Sequence, residues 1–263
     1  MTTEPRVPAG IKLEDMVPVF GGPDAAEVPD QAWCPGCGYG ILPRTFNAEF
    51  DKLPADTRII GVVDIGCVTQ VAAQLEIETT VGGHGRTIAV ATGIKRILPD
   101  AIVCVFIGDG GVAMEGLNET FHTAARAENI SVFMYNNGVL ADTGGQLTTT
   151  GSIGIPSSTT PGGREVAQHG HPIPVAEMLA QMPGTGYVAR ASTHDPAHAY
   201  RTQKVIANAL RCQLEGRGMA FVDLLTTCPT SWSMTPVQAN KFQGEVIVAQ
   251  NPVGDIKPLA TKG

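Results

Sequence analysis

An α/β fold with a mostly parallel sheet and helices on both faces is what this sequence predicts, and three observations carry that expectation. Ala101–Ile107 (AIVCVFI) is an unbroken apolar run of strand length that stops at glycine. A second apolar run, Ile130–Tyr135, follows after one helix-length segment, the spacing of a βαβ unit whose strands are buried on both faces. Glycine (31) and proline (19) are plentiful while aromatics are 5% of the chain, so much of it is turns and ordered loops at the ends of a rigid sheet.

The 263 residues can hold one sizeable α/β domain or two small ones. The sequence divides into an N-terminal arm over 1–30, an α/β domain over 31–240 and a C-terminal tail over 241–263. Net charge is −7 with a pI near 5.3, and no basic run exceeds two residues, so neither nucleic acid nor a membrane surface has an electrostatic footprint here. No stretch approaches 18 uninterrupted apolar residues, so no membrane-spanning segment is expected. The first thirty residues are acidic, carry five prolines and lack an apolar signal core, and a cytoplasmic location is the expectation. They read equally as a disordered tail or as an arm lying over a partner subunit.

In chain order, Trp33-Cys34-Pro35-Gly36-Cys37-Gly38-Tyr39-Gly40 comes first. A thioredoxin-like redox pair would follow a strand, whereas only the proline-rich arm precedes this CxxC, which favours a metal site. Arg58–Asp64 is the first clear strand and runs into Gly66-Cys67. The loop Val81–Arg86 presents His84 and Arg86 between glycines. His84 reads as ligand-facing; Arg86 suits a phosphate or a substrate carboxylate, or equally a nearby Asp or Glu. Ala89–Leu98 has helical spacing. After the Ala101–Ile107 strand comes Gly108-Asp109-Gly110-Gly111, whose glycines let backbone approach a phosphate at a helix start. Met114–Ala127 is the crossover helix, with Leu117, Phe121, Ala124 and Ala125 toward the sheet and His122 beside that stripe. The next strand ends in Asn136-Asn137. Asp109 and Asn137 would be two oxygen donors on neighbouring loops, which suits Mg²⁺ bridging a diphosphate. Taken alone, the glycine–aspartate turn is equally a tight β–α turn with Asp as N-cap.

Residues 138–172 lack period and read as a cover over the site, with His169 and His171 as minor candidates. Beyond it lie a helix (Ile173–Met182), a strand (Tyr187–Ala191), an amphipathic helix (Ala197–Gly216) and a strand (Met219–Leu225) that ends in a loop carrying Cys228. Cys104 and Cys212 fall inside a strand and a helix and read as small buried hydrophobes. Cys34, Cys37, Cys67 and Cys228 fall in turns or at strand ends, where four thiolates can hold Zn²⁺ or a [4Fe–4S] cluster; spacing alone does not separate the two.

The strand–GDG–helix–strand–NN pattern, with 25 residues between Gly110 and Asn136, resembles the fingerprint of thiamine-diphosphate (TPP) enzymes. That resemblance implies a fold of the TPP-diphosphate-binding type, with Mg²⁺ held by Asp109, Asn137 and the carbonyl of Val139, and with Gly108, Gly110, Gly111, Asn136 and Arg86 around the cofactor. Joined in order by Trp33–Gly38, Gly66-Cys67, His84-Gly85-Arg86, Ala91–Lys95 and Cys228-Pro229-Thr230, residues 31–240 resemble the β subunit of 2-oxoacid:ferredoxin oxidoreductases, enzymes of anaerobic metabolism. The resemblance implies one [4Fe–4S] cluster on Cys34, Cys37, Cys67 and Cys228, and His84 near the reacting carbon. The implied reaction is oxidative decarboxylation of a 2-oxoacid to acyl-CoA with electrons passed to ferredoxin. It also implies an α subunit carrying the TPP pyrimidine half, with γ and ferredoxin-like δ subunits as further partners. Gly144-Gly145-Gln146 through Ser158–Pro161, with the Cys228–Trp232 ending, looks closer to branches acting on larger 2-oxoacids, branched-chain or 2-oxoglutarate. The alternatives are a Zn-stapled, non-catalytic α/β interaction protein and a TPP-dependent non-oxidative decarboxylase or carboligase.

Overall fold

The structure, a computed structural model, describes residues 32–260; the expected arm over 1–30 lies outside them. The strands are β1 (Ile59–Val63), β2 (Glu78–Val81), β3 (Ile102–Gly108), β4 (Ser131–Asn136), β5 (Val139–Leu140), β6 (Gln146–Leu147), β7 (Thr185–Ser192), β8 (Met219–Leu225) and β9 (Gly254–Lys257). The helices are α1 (Leu42–Phe50), α2 (Thr87–Ile97), α3 (Leu117–Ala125), α4 (Val166–His169), α5 (Val175–Ala180), α6 (Pro196–Leu214), α7 (Pro236–Phe242) and α8 (Val248–Gln250).

Seven strands form one sheet in the order β2-β1-β3-β4-β8-β7-β9. All neighbours are parallel except β9, which runs antiparallel along β7. The α/β class with helices on both faces therefore holds. Strand alternation splits the core into two layers. On β3, Cys104 and Phe106 face α1 and α6, while Val103, Val105 and Ile107 face α2, α3 and α5. Leu42, Phe46 and Phe50 recur every four residues along α1, and Phe46 meets Phe106 and Phe133 edge-on at 5.0 and 4.7 Å. Side chains buried this fully contribute about 1.5–3 kcal/mol each.

Local chemistry sets the helix ends. Asp195 caps α6 by accepting from His198 N–H at 2.8 Å, and Pro196 occupies its first turn. Thr235 and Gln238 form a reciprocal capping box on α7.

Several expected elements differ. The crossover helix starts at Leu117 instead of Met114, because a π-helical turn over Gly111–Glu115 leads into it. Its buried face is Thr120, Thr123 and Ala124, while Ala125 is exposed; the Thr120 hydroxyl reaches back to Gly116 O at 2.8 Å and so tolerates burial. The helix expected over 173–182 shortens to Val175–Ala180, as Pro174 disfavours helical backbone before it. The stretch 241–263, expected as a tail, packs through its described part: Ile247 enters a third apolar cluster with Trp232 and Cys228, and β9 closes the sheet edge. No helix among the described residues is long and apolar enough to cross a membrane.

Candidate active site

β1, β3 and β4 all end on one rim of the sheet. Between their loops lies a cavity of about 160 Å³, lined by Ile65–Val68, Gly108–Gly111, Asn137, Val139–Thr143, Tyr39 and His84. The chain reverses its direction of sheet growth between β1 and β3, the position where open α/β sheets hold ligands. The π-helical turn sits at this rim, as such turns frequently do at functional sites. Gly111 has no room for a side chain, since a Cβ there would lie 2.2 Å from Asp64 Oδ2.

Asp109 is 2% exposed and has no cationic partner among the described residues. Its Oδ2 accepts from the hydroxyls of Thr148 and Thr150, and burial still pushes the carboxyl up to about 6. Both threonines come from the irregular segment 138–172, which is ordered by one buried side chain. The Arg164 guanidinium donates to the carbonyls of Thr148, Thr149, Gly151, His169, Gly170 and His171. Asn137, also buried, keeps its Oδ1 near Val139 N–H at 3.1 Å, and Val139 lines the same cavity. A buried carboxylate, an amide oxygen and a main-chain carbonyl on adjoining loops form an oxygen donor set that fits Mg²⁺. The cation would also offset the cost of desolvating Asp109.

His84 lines the cavity with its Nδ1 3.1 Å from Asp64 Oδ2 and its Nε2 3.5 Å from Glu115 Oε2. Asp64 is fully buried at the end of β1. Its Oδ1 accepts from Gly85 N–H at 3.0 Å and Thr87 Oγ1 at 2.7 Å, and burial raises its carboxyl despite these bonds. Asp64, Glu115, Tyr39, Thr148 and Thr150 were not singled out from sequence.

Two expected contributors sit elsewhere. Arg86 is exposed, pairs with Glu119 on α3 and does not line the cavity, so it satisfies the acidic-partner reading. Asn136 turns away: its Nδ2 donates to Asp223 Oδ1 at 3.0 Å and its Oδ1 accepts from Gly138 N–H at 3.2 Å, beside a separate cavity of about 410 Å³. Consecutive strand residues point to opposite faces, so only one of the two asparagines can enter the first cavity. His169 and His171 do not line it either.

The four turn cysteines gather around the same rim. Cys37 N–H bonds Cys34 O at 3.0 Å to close the CxxC turn, and Gly38 N–H bonds Thr227 O at 3.0 Å, joining that turn to the Cys228 loop. Trp33 Nε1 donates to Cys67 O at 2.8 Å, tying in the third segment. Gly36 adopts φ +78° against Pro236, where a Cβ would lie 2.4 Å away. Burial above all pushes Cys37 up to about 12 and Cys67 to about 11 and raises Cys228, and the neighbouring cysteines add to each rise. No three of the four sulfurs come within 4.8 Å of one another, whereas four thiolates on one zinc lie about 3.8 Å apart. Cys104 and Cys212 are fully buried in the aromatic layer of the core.

Residues 64–224 match the family described as thiamine pyrophosphate enzyme, C-terminal TPP binding domain. The 2-oxoglutarate synthase subunit KorB of Methanocaldococcus jannaschii is 32% identical over 88% of this chain and 83% of its own length. The chain belongs to the β-subunit family of 2-oxoacid:ferredoxin oxidoreductases. The ketoisovalerate oxidoreductase subunit VorA of Methanothermobacter thermautotrophicus is 35% identical over 86% of this chain and 47% of its own length, so the chain spans about half of that relative. A solved 2-oxoglutarate:ferredoxin oxidoreductase from Magnetococcus marinus superposes with a TM-score of 0.70 at 25% identity, covering 90% of this chain and 84% of that one.

In this family member Asp64 is the residue that holds the His84 loop. Asp64→Asn replaces one acceptor oxygen with a donor facing either His84 or the Gly85 and Thr87 donors. The expected loss is about 1–3 kcal/mol of stability, checked as a lowered Tm. His84 also loses the partner that fixes its ring.

Proposed function

We propose that this chain is the TPP-binding subunit of an enzyme that oxidatively decarboxylates a 2-oxoacid to acyl-CoA and passes the electrons through one [4Fe–4S] cluster to ferredoxin. The observation that carries this reading is the meeting, on one sheet rim, of the buried Asp109–Asn137 oxygen set with four cysteines from three distant segments. Bound TPP would supply the carbon nucleophile and electron sink, and the cluster a one-electron acceptor beside it.

The residues divide the work. Asp109, Asn137 and the Val139 carbonyl would hold Mg²⁺, and Gly108–Gly111 leave room for a diphosphate. His84, held between Asp64 and Glu115 at the cavity wall, would orient a substrate oxygen or handle a proton. Thr148 and Thr150, held by the Arg164-ordered segment, keep water from Asp109. Cys34, Cys37, Cys67 and Cys228 would hold the cluster, three segments brought together by the Gly38–Thr227 and Trp33–Cys67 hydrogen bonds.

A cavity of about 160 Å³ suits a diphosphate group better than a whole cofactor, for which roughly 300 Å³ or more is usual. Ile65 on its rim, Val81 at the start of the His84 loop and Met114 beside Glu115 are large apolar side chains left exposed. Both features favour an α-type partner that covers the rim and supplies the pyrimidine half. Further γ and ferredoxin-like δ subunits are proposed partners, the ferredoxin-like one carrying electrons onward. The larger 2-oxoacids, branched-chain or 2-oxoglutarate, are the proposed substrates, since the curated relatives carry those names.

The test is a comparison of anaerobically purified chain with and without its partner subunit. Dye reduction that depends on a 2-oxoacid and CoA should appear only in the pair, with about four irons and four sulfides per chain. Turnover by the isolated chain, unaffected by the partner, would overturn the heteromeric reading.

A further inference from the structure

Asn137 is the residue at which the oxygen donor set and the cysteine loops touch. Its Oδ1 accepts from Val139 N–H at 3.1 Å, which fixes the amide orientation and turns Nδ2 toward the Tyr39 hydroxyl at 3.3 Å. The Tyr39 hydroxyl already donates to the Tyr135 carbonyl at 3.2 Å, so toward Asn137 its oxygen can only accept. On the main chain, Trp232 Nε1 donates to the Asn137 carbonyl at 3.2 Å. Tyr39 lies two residues past Cys37. Trp232 lies four past Cys228, and its own N–H bonds the Cys228 carbonyl at 3.0 Å. Both rings are buried, at 3% and 2% exposed.

We propose that Tyr39, seconded by Trp232, is a positioning residue that holds Asn137 with its carbonyl-type oxygen available to the cation, so that the cysteine loops set the geometry of the metal–diphosphate site. The reading rests on the function proposed above in taking Asn137 as a metal ligand. Without the phenolic acceptor the amide loses one partner that distinguishes its two ends. A flipped amide would set NH₂ against the Val139 N–H and offer hydrogens to a cation. The Tyr39 ring itself packs edge-on against Tyr135 at 4.9 Å, a contact phenylalanine preserves.

The experiment is a Mg²⁺ titration in the presence of TPP, by calorimetry, on protein purified anaerobically with the subunits it assembles with and stripped with chelator. Tyr39→Phe should weaken Mg²⁺-dependent TPP binding about five- to tenfold and leave iron content at the native level. In an Asn137→Ala background the same substitution should change nothing further, since it acts through the amide. Native-like binding by Tyr39→Phe, or equal weakening in both backgrounds, overturns the inference. If Tyr39→Phe does not fold, Trp232→Phe decides from the other loop: weakened binding supports the inference and unchanged binding overturns it. Asp109→Ala is the control. Retained binding there sinks the metal-site reading itself, whereas lost binding there with no effect of Tyr39→Phe removes only the present inference.

Discussion

Asp109→Asn is expected to abolish TPP retention while raising the melting temperature of the cofactor-free protein. The two effects have one cause. Asp109 is fully buried, meets two threonine hydroxyls and no cation, and its carboxyl is driven up to about 6 from an ordinary 3.8. Keeping it ionised at pH 7 works against folding by an amount on the order of 1–3 kcal/mol. Asparagine retains an oxygen for Thr148 and Thr150 and removes the desolvated charge. The sign follows from linkage: a carboxyl whose folded value is raised stabilises the fold when protonated. The advantage of asparagine should therefore shrink as pH falls through about 6 and vanish below about 3.8. Cofactor binding goes the other way, because an octahedral Mg²⁺ cannot replace a carboxylate with water without weakening its hold on a diphosphate. Asn137→Ala should reduce TPP content less, since a neutral ligand is lost. A purely structural Asp at a β–α turn would show a lowered Tm and no change in TPP content, measured after desalting, and that outcome would reject the site.

How far the site was legible in the sequence follows from what each residue depends on. Gly108–Gly111, Asn137, Cys67 and Cys228 are readable because their chemistry needs the end of an apolar run, and such runs show in one dimension; Cys34 and Cys37 show instead as a CxxC motif. The family resemblance, not local geometry, puts Asn136 and Arg86 around the cofactor. Strand alternation, itself a sequence-level rule, would have turned Asn136 away. Arg86 was drawn off by Glu119, a partner 33 positions later that no local pattern announces. Asp64 was visible only as the last residue of a strand. Its role depends on Gly85 and Thr87 folding back over it, and on Gly111 leaving room. Thr148 and Thr150 lay in a stretch with no period at all, because its order comes from one buried arginine gathering backbone carbonyls instead of from an apolar face. Fold class was the easiest part, since buried parallel strands are continuous apolar words. β9 (GDIK), short and at an edge, carries no such word.

Replacing Cys67 or Cys228 with Ser should strip most of the iron from anaerobically purified protein and abolish 2-oxoacid-dependent dye reduction. Each sits on a loop that is tied to the CxxC turn by a hydrogen bond, from Trp33 Nε1 to Cys67 O and from Gly38 N–H to Thr227 O, so the three segments meet at one rim. Burial keeps the thiols of Cys37, Cys67 and Cys228 raised, so that they are protonated in the absence of metal. Metal binding must release those protons, and the release makes cluster assembly less favourable as pH falls. Serine keeps the loop's shape but offers a harder, less acidic ligand to iron. The comparison residues are Cys104 and Cys212, both fully buried in the aromatic layer between α1, α6 and the sheet. A thiol in mid-strand or mid-helix cannot swing to the rim. Alanine at either position should cost only packing, about 1 kcal/mol, with iron content unchanged. Stoichiometric zinc without iron in the native chain would contradict the cluster.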